Sequence, residues 1–173
     1  MNIVDNFLNK SEYDNLKNHI MVHDFPWYYC NEKVIDSDID YNYQFIHNVI
    51  QNGHIDSPIT FEVLKPLLNK LNAKTIFRVK INLTTKTNKI IEYPLHRDIN
   101  VKDEKDVERL RKDNFKVALY YMNTNNGYTY FEDGKKIKSV ENRLTKFDNI
   151  TYHSGTTCTD NNKRVVININ YEV

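Results

Sequence analysis

Four glycines, four prolines and two cysteines in 173 residues leave few of the usual breaks in the chain. There is no Pro/Gly/Ser-rich linker, low-complexity tract or solenoid-period repeat, so a single domain over residues 1–173 is expected. Cys30 and Cys158 lack CxxC or zinc-ribbon spacing, which excludes a disulfide framework and predicts two reduced thiols. The longest apolar runs are a handful of residues, too short to span a bilayer, and the opening MNIVDNFLNKSE lacks the basic and apolar regions of a signal peptide. A cytoplasmic protein without a membrane partner is predicted. Lys+Arg of 24 against Asp+Glu of 23 leaves a net charge of +1, so no global field gathers nucleic acid, and any anion must be held by a local site. What is present is 40% hydrophobic residues, 12% of the chain being aromatic, which suffices for a core.

The hydrophobic period changes along the chain. Ser11 with Asp14 resembles a capping box, and Tyr13, Leu16 and Ile20 follow at helical spacing. Ser57-Pro58 is a good helix entry, after which Phe61, Leu64, Leu67, Leu68 and Leu71 share a face, with a bend expected near Pro66. From residue 75 the period becomes two: Phe77, Val79, Ile81 and Leu83 alternate with Arg78, Lys80, Asn82 and Thr84. Further strands are expected at 115–122, 127–133, 135–140, 143–148 and 163–173, with turn signals at Asn125-Asn126-Gly127 and Asp133-Gly134. Helical support over about 1–74 followed by a β-barrel over about 75–173 gives an α+β, mainly β class, with the helices packed outside the sandwich or barrel. The charged segment 101–114, with Glu108 placed to pair with Lys112, reads as a solvated helix or as a lid over the residues just before it.

Those residues are EYPLHRDIN, 92–100. His96-Arg97-Asp98 matches the start of a kinase catalytic loop, but Asp103 stands where that loop needs asparagine, no GxGxxG precedes it and the chain is too short. On extended backbone His96 and Asp98 point the same way, which suits metal ligation and calls for a third ligand. His19 and His23 form an i,i+4 pair on the first helix without the glutamate of HExxH and read as surface residues, while His47 and His54 read as packing or hydrogen-bonding residues. His153 remains, 55 residues after Asp98. Eleven residues further, Arg164 opens RVVININYEV. There Val165, Ile167, Ile169 and Tyr171 form one face, expected beneath the helices, and Arg164, Val166, Asn168 and Asn170 the other. A buried arginine is costly unless it meets an anion, and a dicarboxylate suits its planar fork.

HxD, a distal histidine and this arginine, in that order, resemble the Fe(II)/2-oxoglutarate-dependent oxygenases. NNGYTYFEDG and ENRLTKFDNITYHSG are similar to the threonine strand and the GRL…F…H strand of prolyl-4-hydroxylase-like members. IVDNFLNKSEYDNLKN looks like that group's N-terminal strand and helix, and the small size resembles uncharacterised bacteriophage members. The resemblance covers nearly the whole chain. It implies a double-stranded β-helix (jelly roll), Fe(II) held by His96, Asp98 and His153, and Arg164 on the distal carboxylate of the co-substrate 2-oxoglutarate. It further implies O₂ as second co-substrate, succinate and CO₂ as products, and hydroxylation of a C–H bond. Asn82 resembles a co-substrate-contacting position, and Tyr121 and Thr129 are candidates for hydrogen bonds to the 2-oxoglutarate carboxylates. One departure is that Asn126-Gly127 stands where Gly-Gly is usual; asparagine tolerates the left-handed backbone such a turn uses. Trp27 reads as a core anchor.

The competing class is a non-catalytic cupin-like domain that binds a metal or ligand without turnover; the four key residues present together argue against it. A nucleic-acid-binding domain would need a basic stripe with stacking aromatics, which the scattered tyrosines do not form. A peptide, a nucleobase and a free metabolite all stay open as substrate, and oligomeric state is not readable from the sequence.

Overall fold

The computed structural model describes residues 1–31, 43–98 and 114–173. The charged segment beyond Asp98, with its expected Glu108–Lys112 pair, lies outside them. Along the chain the elements are β1 (Asn2–Val4), α1 (Lys10–Ile20), β2 (Tyr28–Cys30), β3 (Gln44–Gln51), β4 (His54–Ile55), α2 (Pro58–Leu71) and β5 (Thr75–Thr85). There follow β6 (Phe115–Tyr121), β7 (Tyr128–Phe131), β8 (Lys136–Lys138), β9 (Arg143–Asp148), β10 (His153–Gly155) and β11 (Lys163–Glu172). No helix among the described residues is long and apolar enough to cross a membrane.

Two antiparallel sheets result. The major sheet runs β1-β9-β6-β11-β5-β3-β2, with β4 paired to β3, and the minor sheet runs β10-β7-β8. The alternation along β11 decides what each face does. Val165, Ile167 and Ile169 are fully buried on the outer face with Val79 and Ile81 of β5 and Ala118 and Tyr120 of β6, against Leu16 and Ile20 of α1 and Leu64 and Leu67 of α2. Each of the valine, leucine and isoleucine side chains contributes roughly 1.5–3 kcal/mol of apolar transfer energy, so this layer holds the helices on the sheet. The inner face packs Val117, Leu119, Tyr121 and Val166 against Phe131 and Ile137 of the minor sheet, closing one end of a double-stranded β-helix.

Local chemistry explains most boundaries and shifts a few from expectation. The cap of α1 is Asn9, not Ser11: its side chain accepts from the Glu12 backbone N–H while the Glu12 carboxylate accepts from the Asn9 N–H, a reciprocal box starting two residues earlier. Helix α2 begins at Pro58 as expected, runs through Pro66 and ends at Asn72 in the left-handed region (φ 55°). Asp133-Gly134 closes the β7–β8 hairpin with Gly134 at φ +81°. Asn125-Asn126-Gly127 closes no hairpin, because β6 and β7 belong to different sheets and this stretch crosses between them. The sheet also recruits β2, β3 and β4 from residues whose pattern suggests helical support. Trp27 is half-buried at the edge of the outer core, edge-on to Phe25.

Candidate metal centre and anion pocket

His96 and His153 face one another across an isolated antiparallel bridge, each backbone N–H donating to the other's carbonyl at 3.0 and 3.1 Å. Residues 91–98 are not the regular strand that the HxD spacing suggests. They are extended backbone tied at two bridges, Glu92 to Thr156 and His96 to His153. The bridges are four residues apart on one segment and three on the other, so one residue bulges out near Pro94, which lacks a ladder donor. The outcome for the side chains is still convergence: ligand atoms of His96, Asp98 and His153 all lie within 4.8 Å of one another.

The surroundings leave these three groups able to hold a metal ion. Nδ1 of His96 lies 3.2 Å from the Pro94 carbonyl oxygen and Nδ1 of His153 lies 3.1 Å from that of Thr151. A carbonyl only accepts, so Nδ1 of each ring carries a proton and Nε2 is the nitrogen left to ligate a metal. Asp98 is held at both oxygens. Its Oδ2 accepts from the amides of Asn168 (2.9 Å) and Asn170 (2.8 Å), and its Oδ1 lies 3.2 Å from the Arg78 guanidinium and 3.9 Å from Nε2 of His153. Burial opposes its ionisation, but His153, Arg78 and the two amides outweigh that and hold the carboxyl well below the usual carboxylate range. Two imidazoles anchored at Nδ1 and one fixed carboxylate, with room beside them, fit a first-row divalent ion.

The same cavity, about 80 Å³, reaches from this cluster to Arg164, past Leu119, Thr129, Gly155, Val166 and Asn168. Arg164 is 5% exposed and its contacts are uncharged: Nε donates to Ser139 Oγ at 2.8 Å and Nη2 to Thr129 Oγ1 at 3.2 Å. Thr129 Oγ1 also accepts from the Tyr121 hydroxyl at 2.9 Å, so Tyr121 fixes the threonine from beneath rather than facing the cavity itself. Burial pulls down the pKa of Arg164, and no carboxylate among the described residues pairs with it. A guanidinium kept dry beside hydroxyls is a receptor for an anion. Gly127 lets it lie there: a Cβ at that position would sit 2.8 Å from Arg164 Cδ and 2.7 Å from the Thr157 carbonyl oxygen. The glycine thus answers a close approach, and Asn126, outside the left-handed region, bonds Thr159 and Asp160 instead.

Asn82 lines the cavity on β5, in register with Val166, and its amide makes only a long contact, 3.4 Å, to the Lys80 carbonyl. The other histidines lie apart from the cluster. His47 is buried and bonds the Pro26 carbonyl and Thr60, and His19, expected at the surface, is half-buried against Thr60 and Phe25. His23 and His54 are exposed. Sequence reasoning did not identify Arg78 and the two asparagines as partners of Asp98, Ser139 as a partner of Arg164, or Lys80 as a cavity residue. The inward alternation in RVKIN and RVVININ was the available signal, since all but Ser139 occupy it.

No protein-family model matches this chain, and no curated protein matches it by sequence. Solved structures do. A prolyl hydroxylase from Trichoplax adhaerens, in complex with a hypoxia inducible factor oxygen degradation domain peptide fragment, superposes with TM-score 0.66 at 15% identity, covering 99% of this chain and 82% of the other. The chain has the fold of the 2OG-Fe(II) oxygenases. Similar matches are a prolyl-4-hydroxylase from Pseudomonas putida (TM-score 0.60, 12% identity, 99% and 91% covered) and the alpha ketoglutarate dependent epimerase SnoN of nogalamycin biosynthesis (TM-score 0.62, 11% identity, 98% and 76% covered). On this oxygenase fold, the His96–Asp98–His153 cluster and Arg164 open into one cavity between the major and minor sheets.

Proposed function

We propose that the protein is an Fe(II)/2-oxoglutarate-dependent dioxygenase that oxidises a C–H bond of its substrate, most simply by hydroxylation, and releases succinate and CO₂. The observation that carries this reading is the pairing of two half-sites in one cavity: a compact His–Asp–His cluster and a buried guanidinium whose hydrogen bonds among the described residues go to neutral hydroxyls. Bound Fe(II) with O₂ supplies the oxidation, and 2-oxoglutarate supplies two electrons by losing CO₂. The protein's part is positioning and exclusion of water. His96, Asp98 and His153 hold the metal, with Pro94, Thr151, Asn168 and Asn170 fixing their orientation. Arg164, with Thr129 and Ser139, takes the distal carboxylate of the co-substrate; Tyr121 orients Thr129, and Asn82 flanks the chain of the diacid from β5. Leu119 and Val166 supply apolar contact between the two charged ends.

One observation favours the alternative of a metal- or ligand-binding domain without turnover: Arg78 already occupies Asp98 Oδ1 and competes for it with a cation. CO₂ release from 2-oxoglutarate labelled at C1 separates the two readings. Release that needs Fe(II) and O₂ and falls at least tenfold in Arg164→Met is the expected result. Fe(II) binding with no release at any co-substrate concentration would leave only the binding domain.

A further inference from the structure

The described residues around the cavity supply three cationic side chains and one acid. Asp98 is the acid, Arg164 and Lys80 line the wall, and Arg78 stands behind Asp98. If the proposed function holds, Arg164 receives the distal carboxylate of 2-oxoglutarate and the metal cluster its other end, which accounts for both charges of that dianion. Lys80 is then left over. It is half-buried and forms no ion pair among the described residues, and burial, with Arg78 nearby, lowers its pKa against the partial opposition of the Asp98 carboxylate, which Arg78 already pairs. A cation held at that cost inside a cavity needs an anion, and the co-substrate has none to spare.

Its position says which molecule would bring one. In the ladder of β11 with β5, Arg164 pairs with Thr84 whereas Lys80 pairs with Asn168, the residue whose amide holds Asp98. Four residues of strand, about 13 Å of backbone, separate the Arg164 level from the Lys80 level. Lys80 is therefore beside the metal cluster, on the strand away from Thr129 and the arginine, with Asn48 as its ladder neighbour on β3, while Asn82 and Gln44 line the cavity nearer the arginine level. This is the side of the cluster that a diacid reaching down to Arg164 does not fill. We infer that Lys80 is a substrate-recognition residue and that the substrate presents an anionic group, a carboxylate or a phosphate, to it next to the metal. With a divalent metal and 2-oxoglutarate both in place the cavity is still net positive, and an anionic substrate completes the charge balance.

The inference rests on the proposed co-substrate, so the test reads the two separately. The protein is loaded anaerobically with Fe(II) and saturating 2-oxoglutarate, and acetate and methyl phosphate are then titrated calorimetrically into wild type, Lys80→Met and Lys80→Arg. Binding of at least one probe in wild type, weakened tenfold or more in Lys80→Met and kept within about threefold in Lys80→Arg, with 2-oxoglutarate affinity the same in all three, is the expected pattern. Which probe binds tells carboxylate from phosphate. If Lys80→Met instead loses 2-oxoglutarate, the lysine belongs to the co-substrate; if it alters neither affinity, the ammonium serves solvent and the inference falls. Should wild type not bind 2-oxoglutarate at all, the dioxygenase reading fails first, and the probes are titrated into the metal-free protein. There, acetate or methyl phosphate binding that survives Arg164→Met but not Lys80→Met still supports the lysine site, and the reverse overturns it.

Discussion

At the scale of residues, the site is a set of charges whose environments are unequal. Arg164 has neutral partners and Arg78 an ionic one, so truncating them should act on different ligands. Arg164→Met should weaken 2-oxoglutarate by roughly 10–100-fold, the worth of a charge-assisted pair, and leave the metal affinity unchanged in a Mn(II) titration. Gly127→Ala should imitate it in part, because its methyl group would displace the arginine stem while touching no metal ligand. Arg78→Met should go the other way for metal. Asn168 and Asn170 still orient Asp98, and removing a positive charge 3.2 Å from Oδ1 should tighten Mn(II) binding by about tenfold while lowering the stability of the metal-free protein. Asp98 also sets a pH dependence. Its folded carboxyl titrates below its ordinary value of 3.8, so the folded state binds fewer protons than the unfolded state in acid. The stability from its ionised form is full above the unfolded pKa and is lost as pH falls below it toward the folded one. In the metal-free protein, urea unfolding between about pH 5 and pH 3 should show a loss of about 1 kcal/mol that Asp98→Asn lacks; identical slopes in the two proteins would refute it.

At the scale of elements, the parts readable from sequence were those whose pattern has one explanation. The outward residues of β5 and β11 are apolar and the inward ones, Val166 apart, polar, and Pro58 with five spaced apolar residues specifies α2. Leu67→Ala, which opens a hole in a fully buried helix–sheet contact, should cost about 2–5 kcal/mol by urea unfolding, against about 1 kcal/mol for Asn9→Ala at the α1 cap. Strand β3 was not legible for the opposite reason. QFIHNVIQ puts polar residues on both faces, Gln44 toward the cavity, Asn48 onto Gln51 and His47 toward Thr60, and a bulge between Asn48 and Ile50 breaks its register. The HxD segment similarly lacks a strand signature, since one bulged residue near Pro94 leaves it tied at two points. The start of α1 is ambiguous in the sequence because NKSE and SEYD both satisfy the rule, and only the reciprocal bonds between Asn9 and Glu12 choose between them.

At the scale of the whole molecule, sequence order carried more than any single motif. HxD, the distal histidine and the arginine lie on three separate stretches, and only the pairing of the major sheet with the minor one brings them to one cavity. The partners of Asp98 were less legible, because which inward residue meets which carboxylate depends on register between strands far apart in sequence. In the proposed function the His–Asp–His cluster and Arg164 act as one site for a metal-chelated keto acid. The most direct test is an anaerobic titration: Fe(II) first, then 2-oxoglutarate, with the visible absorption of the chelate as readout. The account predicts a saturable band in wild type, no band in His96→Ala, and a band in Arg164→Met that needs roughly 10–100-fold more 2-oxoglutarate. Fe(II) binding with no band in wild type, or a band indifferent to Arg164, would contradict it.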